Sequence, residues 1–236
     1  MFALMGLDLA VPDYSTLSRR AGGLYPSKVK SEKDTGPTTL VIDSTGIKMF
    51  GAGEWQENKH GTKKKRRKQR KLHLGLDLDT GKIICSELTE DTVGDPTVVP
   101  DFLDQIEGSV GTVLGDGAYD GTPTRQEIAD RFDGVEVIIP PPKTAIPSPE
   151  AATAPTARDR EILLIEKHGR IGWQKQKEYG RRSRGETLMA RYKQIIGTSL
   201  KSRKFANQKT EAKINVSVLN RMTDLERPTF ERVNAT

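Results

Sequence analysis

Two aspartates stand at the carboxyl ends of apolar runs: Asp43 follows Leu40-Val41-Ile42, and Asp116 follows Thr112-Val113-Leu114-Gly115. Ligands of open α/β sheets collect at that edge of the strands. A carboxylate near the end of a buried run needs a partner, because an isolated one is costly to ionise there. Either aspartate alone reads more simply as a turn or helix-cap residue. The pair gains weight from a third segment, Tyr179 to Lys193 (YGRRSRGETLMARYK), in which Tyr179, Arg182, Glu186 and Lys193 are spaced by three, four and seven. At ~100° per residue these four fall within an arc of roughly 60° on one helical face, provided the helix runs unbroken through Gly180 and Gly185. That face carries a phenol, two cations and one carboxylate. Read minimally, Glu186 makes an intrahelical ion pair worth about a few tenths of a kcal/mol.

Read as a unit, Asp43, Asp116 and Glu186 form an all-oxygen set suited to two divalent cations. Mg²⁺ prefers oxygen ligands, keeps several waters and shares its sphere with substrate phosphates; Mn²⁺ could take its place. A metal pair activates the attacking oxygen and stabilises the leaving one in an in-line phosphoryl displacement. Arg182 and Lys193 would then hold phosphates beside the metals, with Tyr179 stacking or hydrogen-bonding near the strand end.

The elements that must position these residues follow from patterning. A helix starts at Asp13 or Ser15 and runs to about Arg20, before Gly22-Gly23. Thr38–Ser44 is a β-branched run that reads as a buried strand closing near Gly46. Leu72, Leu74, Leu76 and Leu78 alternate with polar or small residues, the pattern of a half-buried strand. It turns at Asp79-Thr80-Gly81 into a second strand, Ile83–Leu88. A helix over Asp95–Ile106, a strand over Gly111–Leu114, a helix over Thr122–Arg131 capped by Thr122 with Pro123 in its first turn, and a strand over Val135–Ile139 come next. Residues 143–157 are rich in Pro, Ala, Ser and Thr and read as a flexible insertion. From Arg158 the pattern is helical, with breaks near Gly169–Gly172, Gly180 and Gly197. This order predicts an α/β class, a mixed sheet with helices packed on it.

Charge adds a partner. The chain has 236 residues, with Lys+Arg 38 against Asp+Glu 32 for a formal net charge of +6. Within it, Lys59–Lys71 (KHGTKKKRRKQRK) carries nine basic residues and no acid: Lys59, Lys63, Lys64, Lys65, Arg66, Arg67, Lys68, Arg70 and Lys71. Arg170–Lys209 carries twelve more against Glu178 and Glu186, leaving the rest of the chain strongly acidic. Two basic blocks on an acidic body suit a polyanion, because each cation that neutralises a phosphate releases counterions. A lone run of this kind is as often a solvated loop or a localisation signal, but this one leads directly into the leucine strand. No apolar run reaches the ~18–20 residues of a membrane span. Met1–Leu9 lacks a basic leader and a cleavage site. The lone Cys85 excludes an intramolecular disulfide and a cysteine-based zinc cluster. A reducing, cytoplasmic setting is expected.

Three segments carry a family resemblance: Val41-Ile-Asp43-Ser-Thr-Gly46, Gly115-Asp116-Gly-Ala-Tyr119-Asp120, and Tyr179 through Lys193, which matches Y-x-x-R-x-x-x-E-x-x-x-x-x-x-K at every specified position. Together with the passage KKKRRKQRKLHLGLD, they resemble DDE transposases of the insertion sequence five group, within the insertion sequence four-type superfamily. The resemblance spans about residues 4–225. It implies an RNase H-like mixed sheet flanked by helices, with Asp43, Asp116 and Glu186 as the metal-binding catalytic triad. It also implies double-stranded DNA (transposon ends and target) as partner, and Tyr179, Arg182, Lys193 and the basic run Lys63–Lys71 as DNA contacts. The implied chemistry is metal-dependent nicking at element ends, then attack of the freed 3′-hydroxyl on target DNA without a covalent enzyme intermediate. A homo-oligomer and a nucleoid-associated, cytoplasmic location go with it.

On this basis residues 38–225 are the catalytic domain, residues 1–37 a remnant of the end-recognition region, and residues 226–236 a tail. Relatives have a longer N-terminal region, so a truncated chain is expected. Gln69 stands where many relatives carry a tryptophan. Two other functions fit the same residues: a catalytically silent DNA-binding remnant and a general RNase H-like nuclease. Asp77 and Asp79 read as hairpin-turn residues, and Asp120 as either a turn residue or a neighbour of the metal site. His60, His73 and His168 have no ligand spacing. Trp55 and Trp173 read first as core residues, with Trp173 the better candidate for stacking on DNA.

Overall fold

The computed structural model describes residues 13–21, 36–49 and 69–225. Helix α1 (Tyr14–Ala21) begins where Asp13 Oδ1 accepts the Ser15 N–H at 2.8 Å, as its cap signal predicts. Strands β1 (Thr38–Met49), β2 (Gln69–Asp77) and β3 (Ile83–Glu90) form an antiparallel meander. β4 (Val110–Leu114) pairs parallel to β1, and β5 (Glu136–Ile138) parallel to β4. The strand order is β3-β2-β1-β4-β5, and the short β6 (Ser199–Leu200) runs parallel to the far end of β1. This is a mixed sheet flanked by helices, the α/β class that the patterning predicts.

Two apolar clusters cover the two faces. On one lie Leu40, Ile42, Cys85, Phe102, Val113 and Ile128, carried by the sheet and by helices α2 (Val99–Leu103) and α3 (Thr122–Arg131). On the other lie Val41, Leu72, Leu74, Leu76, Trp173, Leu188 and Leu219, where α4 (Ala157–Gln176), α5 (Ser183–Ile195) and α6 (Phe205–Asp224) pack. β1 therefore sends alternate side chains to opposite layers, with Val41 and Asp43 toward α5 and Leu40 and Ile42 toward α2 and α3.

Several boundaries differ from the patterning, each for a tertiary reason. β1 runs past Gly46, because Gly46, Ile47 and Lys48 pair with Lys71, Arg70 and Gln69 and because Ile47 is buried. β2 is not half-buried. From Leu72 to Asp77 every residue is buried, since α2 and its flank cover the face that holds His73, Gly75 and Asp77. The helix expected over Asp95–Ile106 is a 3₁₀ turn, Asp95–Val98, followed by the five-residue α2, with Pro96 and Pro100 each removing a backbone donor. The cap of α3 is Gly121, with Thr122 already helical.

Of residues 143–157, those from 143 to 156 contain no helix or strand and are tied back to α4, which Ala157 opens. Asp159 accepts from the backbone N–H groups of Ser148 (2.7 Å) and Thr156 (2.9 Å) and from both their hydroxyls. These donors hold its pKa well below the usual carboxylate range. Thr156 and Asp159 form a capping box that starts α4, and Gly169 at φ 69° kinks it.

Candidate functional site

Val41 and Leu114 face each other across the parallel β1–β4 ladder. Two residues beyond each of them comes an aspartate, Asp43 on β1 and Asp116 just after β4. A two-residue step preserves the side of the pleat, so the register alone sets both carboxylates at one level, where β4 ends beside β1. Asp43 Oδ1 accepts the Ser44 N–H at 2.9 Å. Asp116 Oδ1 accepts the Ala118 N–H at 2.9 Å and caps the 3₁₀ turn Gly117–Tyr119, leaving Oδ2 for other partners. The turn role and the site role of Asp116 thus coexist on its two oxygens.

The third segment does not form one unbroken helix. Glu178, at φ 50°, ends the approach from α4; a 3₁₀ turn spans Tyr179–Arg182, and α5 begins at Ser183. The tighter turn still brings Tyr179, Arg182 and Glu186 to the sheet edge. Tyr179 donates its hydroxyl to the Gly115 carbonyl (3.2 Å), next to Asp116. Arg182 Nη1 donates to Glu186 Oε1 at 2.7 Å, while its Nη2 stands 3.8 Å from both Asp43 Oδ1 and Asp116 Oδ2. One guanidinium therefore faces all three acids. Burial works against its charge, but Tyr179, Glu186 and the two aspartates outweigh that and hold its pKa above the ordinary value. Burial pushes the Asp43 pKa up, against the Ser44 N–H and Arg182, which pull it down.

Among the described residues, no three His, Cys, Asp or Glu side chains lie close enough to share a metal ion. Asp43, Asp116 and Glu186 converge instead through Arg182. The donor set nevertheless suits a hard divalent cation: it is entirely carboxylate oxygen, and it already surrounds a positive group. An open groove of about 620 Å³ runs alongside, lined by Tyr179, Arg182, Ser183 and Glu186 together with Ile171, Lys175 and Arg181.

Other expected contacts are distributed differently. Lys193 lies two turns along α5 from Glu186, ~10 Å by helical rise, and makes no ion pair with another described residue. Lys63, Lys64, Lys65, Arg66, Arg67, Lys68 and Trp55 lie outside the described residues. Arg70 pairs with Glu90 (2.9 Å), donates to Gln208 (3.0 Å) and stacks over Phe205; Lys71 pairs with Asp95 (3.1 Å). Both are engaged within the fold. Trp173 cannot stack on DNA: it is 0% exposed, donates its indole N–H to Glu161 and packs against Tyr179 with ring centroids 5.2 Å apart. Asp120 is held by Arg125 (3.3 Å) and Arg158 (2.9 Å), so both its oxygens are engaged within the fold. Asp77 accepts from the Asp79 N–H and the Thr80 hydroxyl, as a turn residue does.

Patterning missed a buried network on the opposite layer. Tyr119, three residues past Asp116, hydrogen-bonds Ser44, the neighbour of Asp43, and its hydroxyl lies 3.3 Å from His73 Nδ1. His73 Nε2 meets the Thr89 hydroxyl at 3.1 Å. Burial drives the Tyr119 pKa far above its usual value and lowers that of His73 to about 4. The only signal in the sequence was the tyrosine of Gly115-Asp116-Gly-Ala-Tyr119.

Residues 34–221 match a family described as transposase DDE domain, and residues 1–52 match a second family of the same description. Two solved structures are also similar. A cryo-EM structure of a piggyBac transposase synaptic complex with hairpin DNA is 12% identical, with a TM-score of 0.48 over 80% of this chain and 47% of that one. A simian T-cell lymphotropic virus intasome in complex with PP2A regulatory subunit B56 gamma is 10% identical, with a TM-score of 0.37 over 90% of this chain and 63% of that one. The chain thus spans about half the length of the first. Among the described residues, no helix is long and apolar enough to cross a membrane.

Proposed function

The chain belongs to the transposase DDE domain family, a family that generally uses divalent metal ions, and from that premise we propose that it nicks DNA at transposon ends and joins the freed 3′-hydroxyl to target DNA. In this reading Asp43, Asp116 and Glu186 are the catalytic, metal-holding residues. The observation that carries it is their convergence: three carboxylates from β1, from the end of β4 and from α5 face a single positive group. When bound, two Mg²⁺ ions, or Mn²⁺ in their place, supply Lewis-acid activation of the attacking oxygen and stabilisation of the leaving one.

The chain's own residues do the remaining work. Asp43 and Asp116 are fixed by the strand register and by backbone N–H donors, so their oxygens need little reorganisation when charge develops beside them. Tyr179 fastens the α4–α5 junction to the Gly115 carbonyl and so sets the distance between Asp116 and the arginine turn. Arg182, with Lys193 further along α5, supplies positive charge for backbone phosphates in the adjoining groove. The run Lys63–Lys68, with Arg70 and Lys71 anchoring its exit into β2, adds a sequence-independent grip on double-stranded DNA. Residues 38–225 act as the catalytic unit, residues 1–37 as part of an end-recognition region and residues 226–236 as a tail. The motifs resemble those of the insertion sequence five group, and in this reading the chain acts as a homo-oligomer on paired ends, in the cytoplasm at the nucleoid.

The test is incubation with Mg²⁺ and terminal inverted-repeat DNA. Nicking at the repeat followed by strand transfer is the expected result. Salt-sensitive binding without nicking would identify a silent DNA-binding remnant, and cleavage indifferent to the end sequence a general nuclease.

A further inference from the structure

Arg182 stands in an unusual relation to the acids around it. Three carboxylates against one guanidinium leave a local charge of −2. Only Glu186 is within hydrogen-bond distance, at 2.7 Å; Asp43 and Asp116, each 3.8 Å from Nη2, feel the cation without being bonded to it. Arg182 Nε is buried with no hydrogen-bond partner. A guanidinium placed to make a full set of bonds would not leave its third nitrogen orphaned in this way. The side chain is placed by charge, as a counter-ion is, and it lies among oxygens that no three-acid metal cluster yet gathers. The groove of about 620 Å³ that it lines gives it somewhere else to go, beside the exposed cations Lys175 and Arg181.

We infer that Arg182 is the resident counter-ion of the carboxylate cluster, occupying the cation position in the DNA-free protein and leaving it for the groove when a divalent ion and a DNA phosphate arrive. This rests on the reading of Asp43, Asp116 and Glu186 as metal ligands and adds an order of events to it. Without DNA, a divalent ion must displace a built-in cation and leave the guanidinium without an acceptor, so metal binding is weak. A phosphate in the groove accepts the displaced guanidinium, so DNA strengthens metal binding. By linkage, metal then strengthens DNA binding by the same factor. The arrangement makes the metal site assemble on DNA and stay closed off it, which restrains unguided hydrolysis.

The experiment is a Mn²⁺ titration of the full chain followed by electron paramagnetic resonance, which reads bound metal and not activity, with and without duplex DNA. Expected are weak binding by the free wild-type protein, about tenfold tighter binding by Arg182→Gln, and a DNA-induced gain in wild type that the variant lacks. Arg182→Met, which keeps the aliphatic stem, is read in the same way should the glutamine variant fail to fold. Equal or weaker Mn²⁺ binding by a folded arginine variant, with binding still abolished by Glu186→Gln, overturns the counter-ion role while sparing the metal-site reading. Mn²⁺ binding to Arg182→Gln that is indifferent to Glu186→Gln removes the metal from these acids and overturns both.

Discussion

Gly185 lies directly against Asp43: a Cβ on the glycine would stand 3.6 Å from Asp43 Cβ and 2.9 Å from Val41 Cγ1. The residue before Glu186 is therefore a point of close approach between α5 and β1, and the missing side chain lets the helix deliver its carboxylate to the strand carrying the first aspartate. Gly185→Ala must push α5 outward or shift Val41. Overpacking of this kind costs ~1–3 kcal/mol, and the better helix propensity of alanine returns up to ~1 kcal/mol. The expected outcome is a net loss of about 1–2 kcal/mol in denaturant unfolding. Nicking should fall by more than that loss explains, because Glu186 moves with the helix.

Glu186→Gln separates charge from structure. The glutamine carbonyl can still accept from Arg182, and the side chain at 186 is largely exposed, so melting temperature should barely move. Cleavage should drop by roughly 10³-fold or more, while duplex affinity at fixed salt and without divalent metal stays within about twofold. Full cleavage by this variant would remove Glu186 from the site.

His73 gives a pH signature. Its pKa in the folded protein is about 4 against an ordinary value of 6.5, because burial disfavours the charged ring. The unfolded chain therefore takes up a proton first as pH falls. The stabilisation is fully present above pH ~6.5 and is lost progressively between there and pH ~4, up to about 3 kcal/mol in all. Replacing His73 with glutamine should flatten that part of the stability–pH curve in urea titrations. An unchanged slope would mean that the ring is charged in the fold.

Trp173 supports the site from behind. Its indole N–H goes to Glu161, which is also paired with Lys177 at 3.0 Å, and its ring backs Tyr179. Trp173→Phe keeps an aromatic ring but leaves a buried carboxylate oxygen short of a donor, at a cost of ~1–3 kcal/mol. Unfolding in urea should register that loss, and Tyr179→Phe, which gives up a single partly buried hydrogen bond to Gly115, should cost about 1 kcal/mol.

Much of this arrangement was legible in the residues. The β-branched run Thr38–Ser44, the leucine alternation into Asp79-Thr80-Gly81 and the short run ahead of Asp116 located the strands, because strand signals there coincide with burial. Gly46 reads as a stop because patterning cannot see the β2 residues that hold β1 extended past it. The burial of His73 and Asp77 is not visible in the alternation, which shows that the two sides of a strand differ and not that a second layer covers the polar one. Residue type alone points Arg182 toward phosphates. Its place among the acids depends on a 3₁₀ turn that tightens the junction, which spacing in a uniform helix does not reveal. Trp173 sits inside a basic stretch along the chain, but its side chain points into the core, and charge counting carries no direction.

Lys48 and Gln69 face each other across the β1–β2 ladder, with Ser199 of β6 beside Lys48 on the other edge. Everything the chain inserts between those two residues leaves and re-enters the sheet through a single doorway, clamped from both sides. A change in the chain between Lys48 and Gln69 therefore meets the paired ladder first, and Asp43, five residues upstream of Lys48 on β1, keeps its place.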